Sequence, residues 1–204
     1  MMFRLILPVL CSGLFLATTA WADPVADKKT SREIVDRMAA EFRQGKLDLI
    51  FARTHPGLIE ELGGREAFEK TTRDAVAGFA KQGVEIKAYT TGEPEEPVIH
   101  HGRVFVLIPT RLVMVVQKNR VTSSGWMLCI RPVAGSDWQL LTLGRELSLD
   151  RLKKLEPNLP DDFVLPDCPA PKIESLEDGS EDDAGKRNED GKKPQNTPQK
   201  VKPA

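Results

Sequence analysis

The chain has 204 residues, with 29 lysines and arginines against 30 aspartates and glutamates, for a formal net charge of −1. So even a balance offers no basic surface for nucleic acid or an anionic membrane, and no nucleic-acid partner is expected. The length suits one domain with a core of its own rather than two.

One basic side chain, Arg4, precedes a mostly apolar stretch over residues 5–16, which leads into Ala20-Trp21-Ala22. That order is the plan of a secretory signal peptide, so residues 1–22 read as a leader cleaved after Ala22, and the mature protein as secreted or periplasmic. Pro8, Ser12 and Gly13 interrupt the apolar run, which falls well short of the roughly 20 residues of a spanning helix. No later stretch is longer and as apolar, so no transmembrane anchor is expected after processing. Leu10 stands before Cys11, where a lipoprotein signal wants a small residue.

Residues 23–29 read as a linker. Thr30-Ser31-Arg32-Glu33 has capping-box spacing, and Ile34, Val35, Met38, Ala39 and Phe42 recur at helical intervals as far as Gly45, which predicts an amphipathic helix. A second short helix is expected over residues 46–53, stopping at His55-Pro56 because the residue before a proline avoids helical geometry. After Gly63-Gly64, the residues Phe68, Thr72, Ala75 and Phe79 mark the inner stripe of a third helix that Gly83 closes. From Val84 the period changes to two. Strands are expected over residues 84–89, 98–108, 111–117, 126–131 and 138–143, with Pro109, a Lys118-Asn119 turn, Pro132 and Gly135-Ser136 as punctuation. Ser148 then starts a short helix through Leu155, ended by Pro157.

Helices first and strands afterwards predict an α+β class: N-terminal helices packed on a curved, cone-like antiparallel sheet, with a short C-terminal helix, over residues 30–172. Residues 112–116 are apolar on both faces; a homodimer through the sheet would cover the outer one. Residues 173–204 are too polar to bury a core and read as a disordered charged tail. Its charge is sorted, with six acids and no base over 174–183 and six bases with two acids over 186–202.

The residues that carry chemistry are sparse. His100 and His101 are neighbours expected on one strand, where they would point to opposite faces, so no metal site is read there. His55, at a helix end, is a candidate base or hydrogen bonder, and Tyr89, the single tyrosine, a candidate donor. Phe68, Trp126 and Trp138 join them as candidate lining of a ligand pocket. Asp74 falls off the inner stripe of its helix and is expected to be exposed. No nucleophile elbow, phosphate loop or cofactor motif occurs, so no cofactor is expected. Cys129 and Cys168 survive processing in a compartment where disulfides persist, and a bridge between them would stabilise the fold by about 4 kcal/mol.

Thr54-His55-Pro56, Gly63-Gly64-Arg65-Glu66-Ala67, a sheet ending in Asp137-Trp138-Gln139-Leu140-Leu141 and the late Leu155-Glu156-Pro157-Asn158-Leu159-Pro160 together resemble exported bacterial members of the nuclear-transport-factor-2-like superfamily. The resemblance spans residues 30–166. It implies a cone-shaped α+β fold and a tendency to dimerise. Relatives in that superfamily work as isomerases, dehydratases, epoxide hydrolases or noncatalytic binding modules, so the fold leaves the activity open. The expected cone lining of Val, Leu, Met, Ile and Trp favours a noncatalytic module that binds a small apolar ligand or an envelope protein. Two rivals stand beside it: an isomerase or hydratase using His55 as base and Tyr89 as donor, and an envelope interaction protein acting through its charged tail.

Overall fold

The computed structural model describes residues 23–176; the leader expected over 1–22 and the tail beyond 176 lie outside the described residues. Four helices precede the strands: α1 (Pro24–Arg43), α2 (Asp48–Arg53), α3 (Pro56–Glu61) and α4 (Arg65–Lys81). Helix α1 begins six residues before the expected capping box, so residues 24–29 are helical and not a linker. The Asp23 carboxylate accepts from the Val25 and Ala26 amides, and Pro24 occupies the first helical position, where its missing N–H costs nothing. Thr30 and Ser31 do not cap. Their hydroxyls donate back to the Ala26 and Lys28 carbonyls, the alternative open to Ser and Thr inside a helix.

Helix α3 fills the interval between Pro56 and the Gly63-Gly64 break, which the sequence left unassigned. His55 caps it, with Nδ1 accepting from the Gly57 amide at 3.1 Å. In α4 the inward side is built on Phe68, with Thr72 and Val76 half-buried behind it, whereas Phe79 is 42% exposed and Ala75 is exposed. The expected stripe through Ala75 and Phe79 is therefore rotated by about one residue.

The strands are β1 (Val84–Thr91), β2 (Val98–His100), β3 (Arg103–Val116), β4 (Asn119–Pro132), β5 (Gln139–Leu143) and β6 (Lys172–Ser175), with α5 (Leu149–Leu155) after β5. All pair antiparallel in one open sheet, and the fold is α+β. A long hairpin, β3 with β4, forms its spine over 14 residue pairs. Strands β2 and β1 share one edge of that hairpin, and β5 and β6 share the other.

Two strand boundaries differ from expectation for reasons local to single residues. Residues 98–108 are not one strand, because His101 and Gly102 adopt φ of 42° and 72° and turn the chain between β2 and β3, the positive-φ pair of a tight hairpin turn. Pro109 does not end a strand. Its carbonyl accepts from the Gly92 amide at 2.8 Å, so its nitrogen faces the same edge, between β1 and β2, where no ladder bond is missed. A Cβ on residue 92 would sit 2.6 Å from the Pro109 ring, so glycine is what permits that approach. The expected tail also starts later: residues 172–175 form β6 against Asn119–Thr122, with Ile173 opposite Val121 and itself 68% exposed.

The pleat divides the core in two. Val104, Val106, Ile108, Met127, Cys129 and Leu140 face α1 and α2, meeting Val35, Met38 and Leu49. Phe105, Leu128, Ile130, Leu141 and Leu143 face the other way, covered by α5 through Leu152 and Leu155 and by Leu159 and Phe163. This separation explains why Cys129 and Cys168 are both free. Cys129 is buried on the α1 side. Cys168 follows Asp167, whose carbonyl accepts from the Trp126 indole on the opposite side, and its thiol donates to the Leu143 carbonyl.

Candidate functional site

A cavity of about 400 Å³ opens where the β3–β4 hairpin runs past the helices. A bulge in β1 shapes it. Val84 and Ile86 pair with Val116 and Met114, but Ala88 pairs with Val113 and Tyr89 with Leu112, so Lys87 is an extra residue on β1. One inserted residue inverts the in–out phase of everything after it. Strict alternation from Ile86 would have sent Tyr89 to the outer face. With the bulge, Tyr89 lies beside Leu112 and Thr110 and lines the cavity.

The remaining walls come from every layer. Met38 and Phe42 belong to α1, Ile50 to α2, Phe68 and Thr72 to α4; Ser123, Gly125 and Met127 belong to β4, and Thr142 to β5. Phe42 meets the Tyr89 ring edge-on, with centroids 6.4 Å apart. Tyr89 is hydrogen-bonded to Thr110. Burial raises the phenol above its ordinary value, and more strongly than that hydrogen bond lowers it. A Cβ at residue 125 would lie 3.2 Å from the Leu143 carbonyl and 3.8 Å from the Thr110 hydroxyl, so Gly125 keeps this part of the wall thin. Arg145 stands at the rim with Pro169 and Pro171. No His, Asp or Glu is among the described residues that line the cavity.

Of the five residues expected in a pocket, Phe68 and Tyr89 line this cavity and three do not. Trp138 is core, under the Arg131 guanidinium at 5.4 Å. Trp126 packs on the opposite face of the sheet. His55 lies at the start of α3, where Nε2 donates to Glu156 Oε2 at 3.2 Å, and since Nδ1 accepts from Gly57, the imidazole is the Nε2–H tautomer. The His55 base and Tyr89 donor therefore do not converge. Asp74 is exposed and pairs with Lys70 at 2.8 Å.

The His55 cluster is a buried structural joint at the floor of a cleft that Glu60, Arg151 and Lys154 also line. Glu156 is 1% exposed; its Oε1 accepts from the Asn158 amide and side chain, both at 3.0 Å, and Arg103 stands 3.5 Å from Oε2. Burial pushes the Glu156 carboxyl up. The hydrogen bonds from His55 and Asn158, with the Arg103 charge, outweigh that and hold it below the ordinary value. The His55 amide also donates to the Leu140 carbonyl, so this cluster ties α3 and α5 to the β5 edge.

His100 and His101 also differ from expectation. His101 sits in the turn rather than the strand, so alternation does not separate the two, and their rings meet edge-on at 4.0 Å. Among the described residues no group of three or more His, Cys, Asp or Glu is placed to hold a metal ion, and no helix is long and apolar enough to cross a membrane.

The residues missed by sequence reasoning are the strand hydroxyls Thr110, Ser123 and Thr142, and Arg145. A readable signal existed for the β4 group, because Thr122-Ser123-Ser124-Gly125 is a polar run leading directly into the apolar residues 126–130. Compared with known proteins, the chain matches no family model, no curated protein and no solved structure.

Proposed function

We propose that this is an exported, noncatalytic binding module that holds a small, mainly apolar molecule in the cavity between α1, α2, α4 and the β3–β4 hairpin. The observation that carries the reading is the lining itself: apolar side chains and hydroxyls, with no carboxylate or imidazole among the described lining residues to move a proton. Export rests on the leader-like order of residues 1–22. Membership of the nuclear-transport-factor-2-like superfamily, with its cone-like sheet, belongs to the same proposal. Its support is the run of helices leading into an open antiparallel sheet, with a cavity where they meet. The homodimer belongs to it too, since Val113 and Val115, on the face of β3 away from the cavity, stay half-buried and a second copy would cover them.

The test is binding of an environment-sensitive apolar dye to the chain lacking residues 1–22, with Ser123→Phe as the filled-cavity control. Saturable binding lost in Ser123→Phe supports the reading. Dye binding that Ser123→Phe leaves unchanged would sink it.

A further inference from the structure

The cavity is apolar and hydroxyl-lined inside, but its rim carries a cation. Arg145 is the one charged side chain among its described lining residues, is exposed, and has no hydrogen-bond or ion-pair partner among the described residues. That sets it apart from Arg53, Arg131 and Arg151, each of which holds a carboxylate. A guanidinium presents a fork of N–H donors matched to carboxylate or phosphate oxygens. Below it, Thr142, Ser123 and Thr110 lead inward toward Tyr89, and Met38, Phe42 and Phe68 form the apolar side.

We infer that the ligand is a single-chain amphipath with an anionic head, its chain in the cavity and its head on Arg145; this rests on the cavity reading above. Size fits the class. At about 30 Å³ per water-sized group, the cavity of about 400 Å³ takes about a dozen heavy atoms, the size of a medium-length acyl or alkyl chain with its head. Each methylene withdrawn from water contributes about 0.8 kcal/mol, so the chain supplies the affinity and the arginine selects the head. An exposed rim charge acts mostly on specificity and salt dependence. A fatty carboxylate and a monoalkyl phosphate share this chemistry.

The experiment is calorimetric titration of the chain lacking residues 1–22 with decanoate, decyl phosphate and decanol at low and high salt. It is run on the native sequence, on Arg145→Gln, and on two filled-cavity variants, Ser123→Phe and Thr72→Phe. Both anionic probes are expected to bind more tightly than decanol. Arg145→Gln should weaken them about fivefold, the upper range for one exposed ion pair, leave decanol unchanged, and lose its effect at high salt. The tighter of the two anions identifies the head group. If decanol and the anions bind alike and Arg145→Gln changes neither, the head-group inference is overturned while the cavity reading stands. If no probe binds the native chain, or binding survives in both filled-cavity variants, the cavity reading falls and takes this inference with it.

Discussion

Replacing Arg131 by methionine should remove a large part of the stability of this fold. Arg131 is 8% exposed and Asp27 4%. Nε and Nη2 of Arg131 both donate to Asp27 Oδ1, at 2.8 and 2.5 Å, while Nη1 donates to the carbonyls of Pro132, Val133 and Gly135 at 2.8 to 3.0 Å. Asp27 Oδ2 has no hydrogen-bond partner among the described residues. With the arginine gone, Asp27 would keep a buried charge and lose both of its donors, a change that costs about 3–5 kcal/mol. The three carbonyls belong to a turn whose Pro132, Ala134 and Gly135 are exposed, so water replaces their donor at little cost. Against a total stability of about 5–15 kcal/mol, Arg131→Met should therefore shift the urea midpoint strongly, with an unchanged slope. The double variant Asp27→Leu with Arg131→Met removes both charges and should recover at least about 2 kcal/mol relative to Arg131→Met alone, because the coupled pair is non-additive. Trp138, stacked beneath Arg131, reports both transitions by fluorescence. An Arg131→Met midpoint within about 1 kcal/mol of the native one, or a double variant no better than the single, would refute a buried charge pair as the joint between α1 and the β4–β5 turn.

Three further outcomes follow from particular residues. The Glu156 carboxyl is held below its ordinary value near 4.5, so its contribution is present above that pH and lost as pH falls through the lowered value; Glu156→Gln should flatten this acid limb of thermal stability, and an identical limb would count against the joint. Under nonreducing conditions the mass of the chain lacking residues 1–22 should show two free thiols, with Cys168 labelled in the native state and Cys129, which burial pushes well up, labelled only on unfolding. Tyr89 is the single tyrosine, so the ultraviolet titration of phenolate reads it directly: its midpoint should lie above 10 and stay raised when Lys87 is deleted, since the deletion removes only the extra residue and leaves Tyr89 opposite Leu112; a midpoint that falls to the ordinary value would refute the bulge reading.

The change of period at Val84, the Ser148 cap of α5 and the Gly45 and Gly83 stops act through nearest neighbours, and the observed elements sit where those signals place them. The start of α1 was misplaced because two capping signals compete: Asp23 followed by Pro24 outranks Thr30, whose hydroxyl has a helical carbonyl to bond instead. Pro109 was misread because a proline's tolerance in a strand depends on which edge its nitrogen faces, and that is a property of the partner strands. Tyr89 was chosen as a candidate for its chemistry; the residue that brings it inward, Lys87, carries no local mark of a bulge. His55 has the right chemistry for a base, but its partner Glu156 caps the end of α5 and is itself met by Arg103 of β3, and only the fold brings them together.

The position of the cavity follows from a mismatch of lengths. Strands β3 and β4 run 14 residues each, about 45 Å at 3.3 Å per residue, whereas the cover on the α1 side is one long helix with two short ones and α4. At the closed end, from Val104 to Ile108 and Met127 to Ile130, both faces are sealed and most side chains are fully buried. Toward the hairpin tip the lining changes to hydroxyls and half-buried aliphatics, and a gap opens between helix and sheet there. A sequence selected only for stability would fill that gap, because empty volume in a core costs about 24 cal/mol per Å³. Here the positions that would fill it are Ser123, Gly125, Thr110 and Thr142, all small. The bulge at Lys87 spends a ladder register to turn the chain's single tyrosine toward the same gap. Small residues on three adjacent strands and a re-aimed tyrosine converging on one space are what the proposed occupant would require.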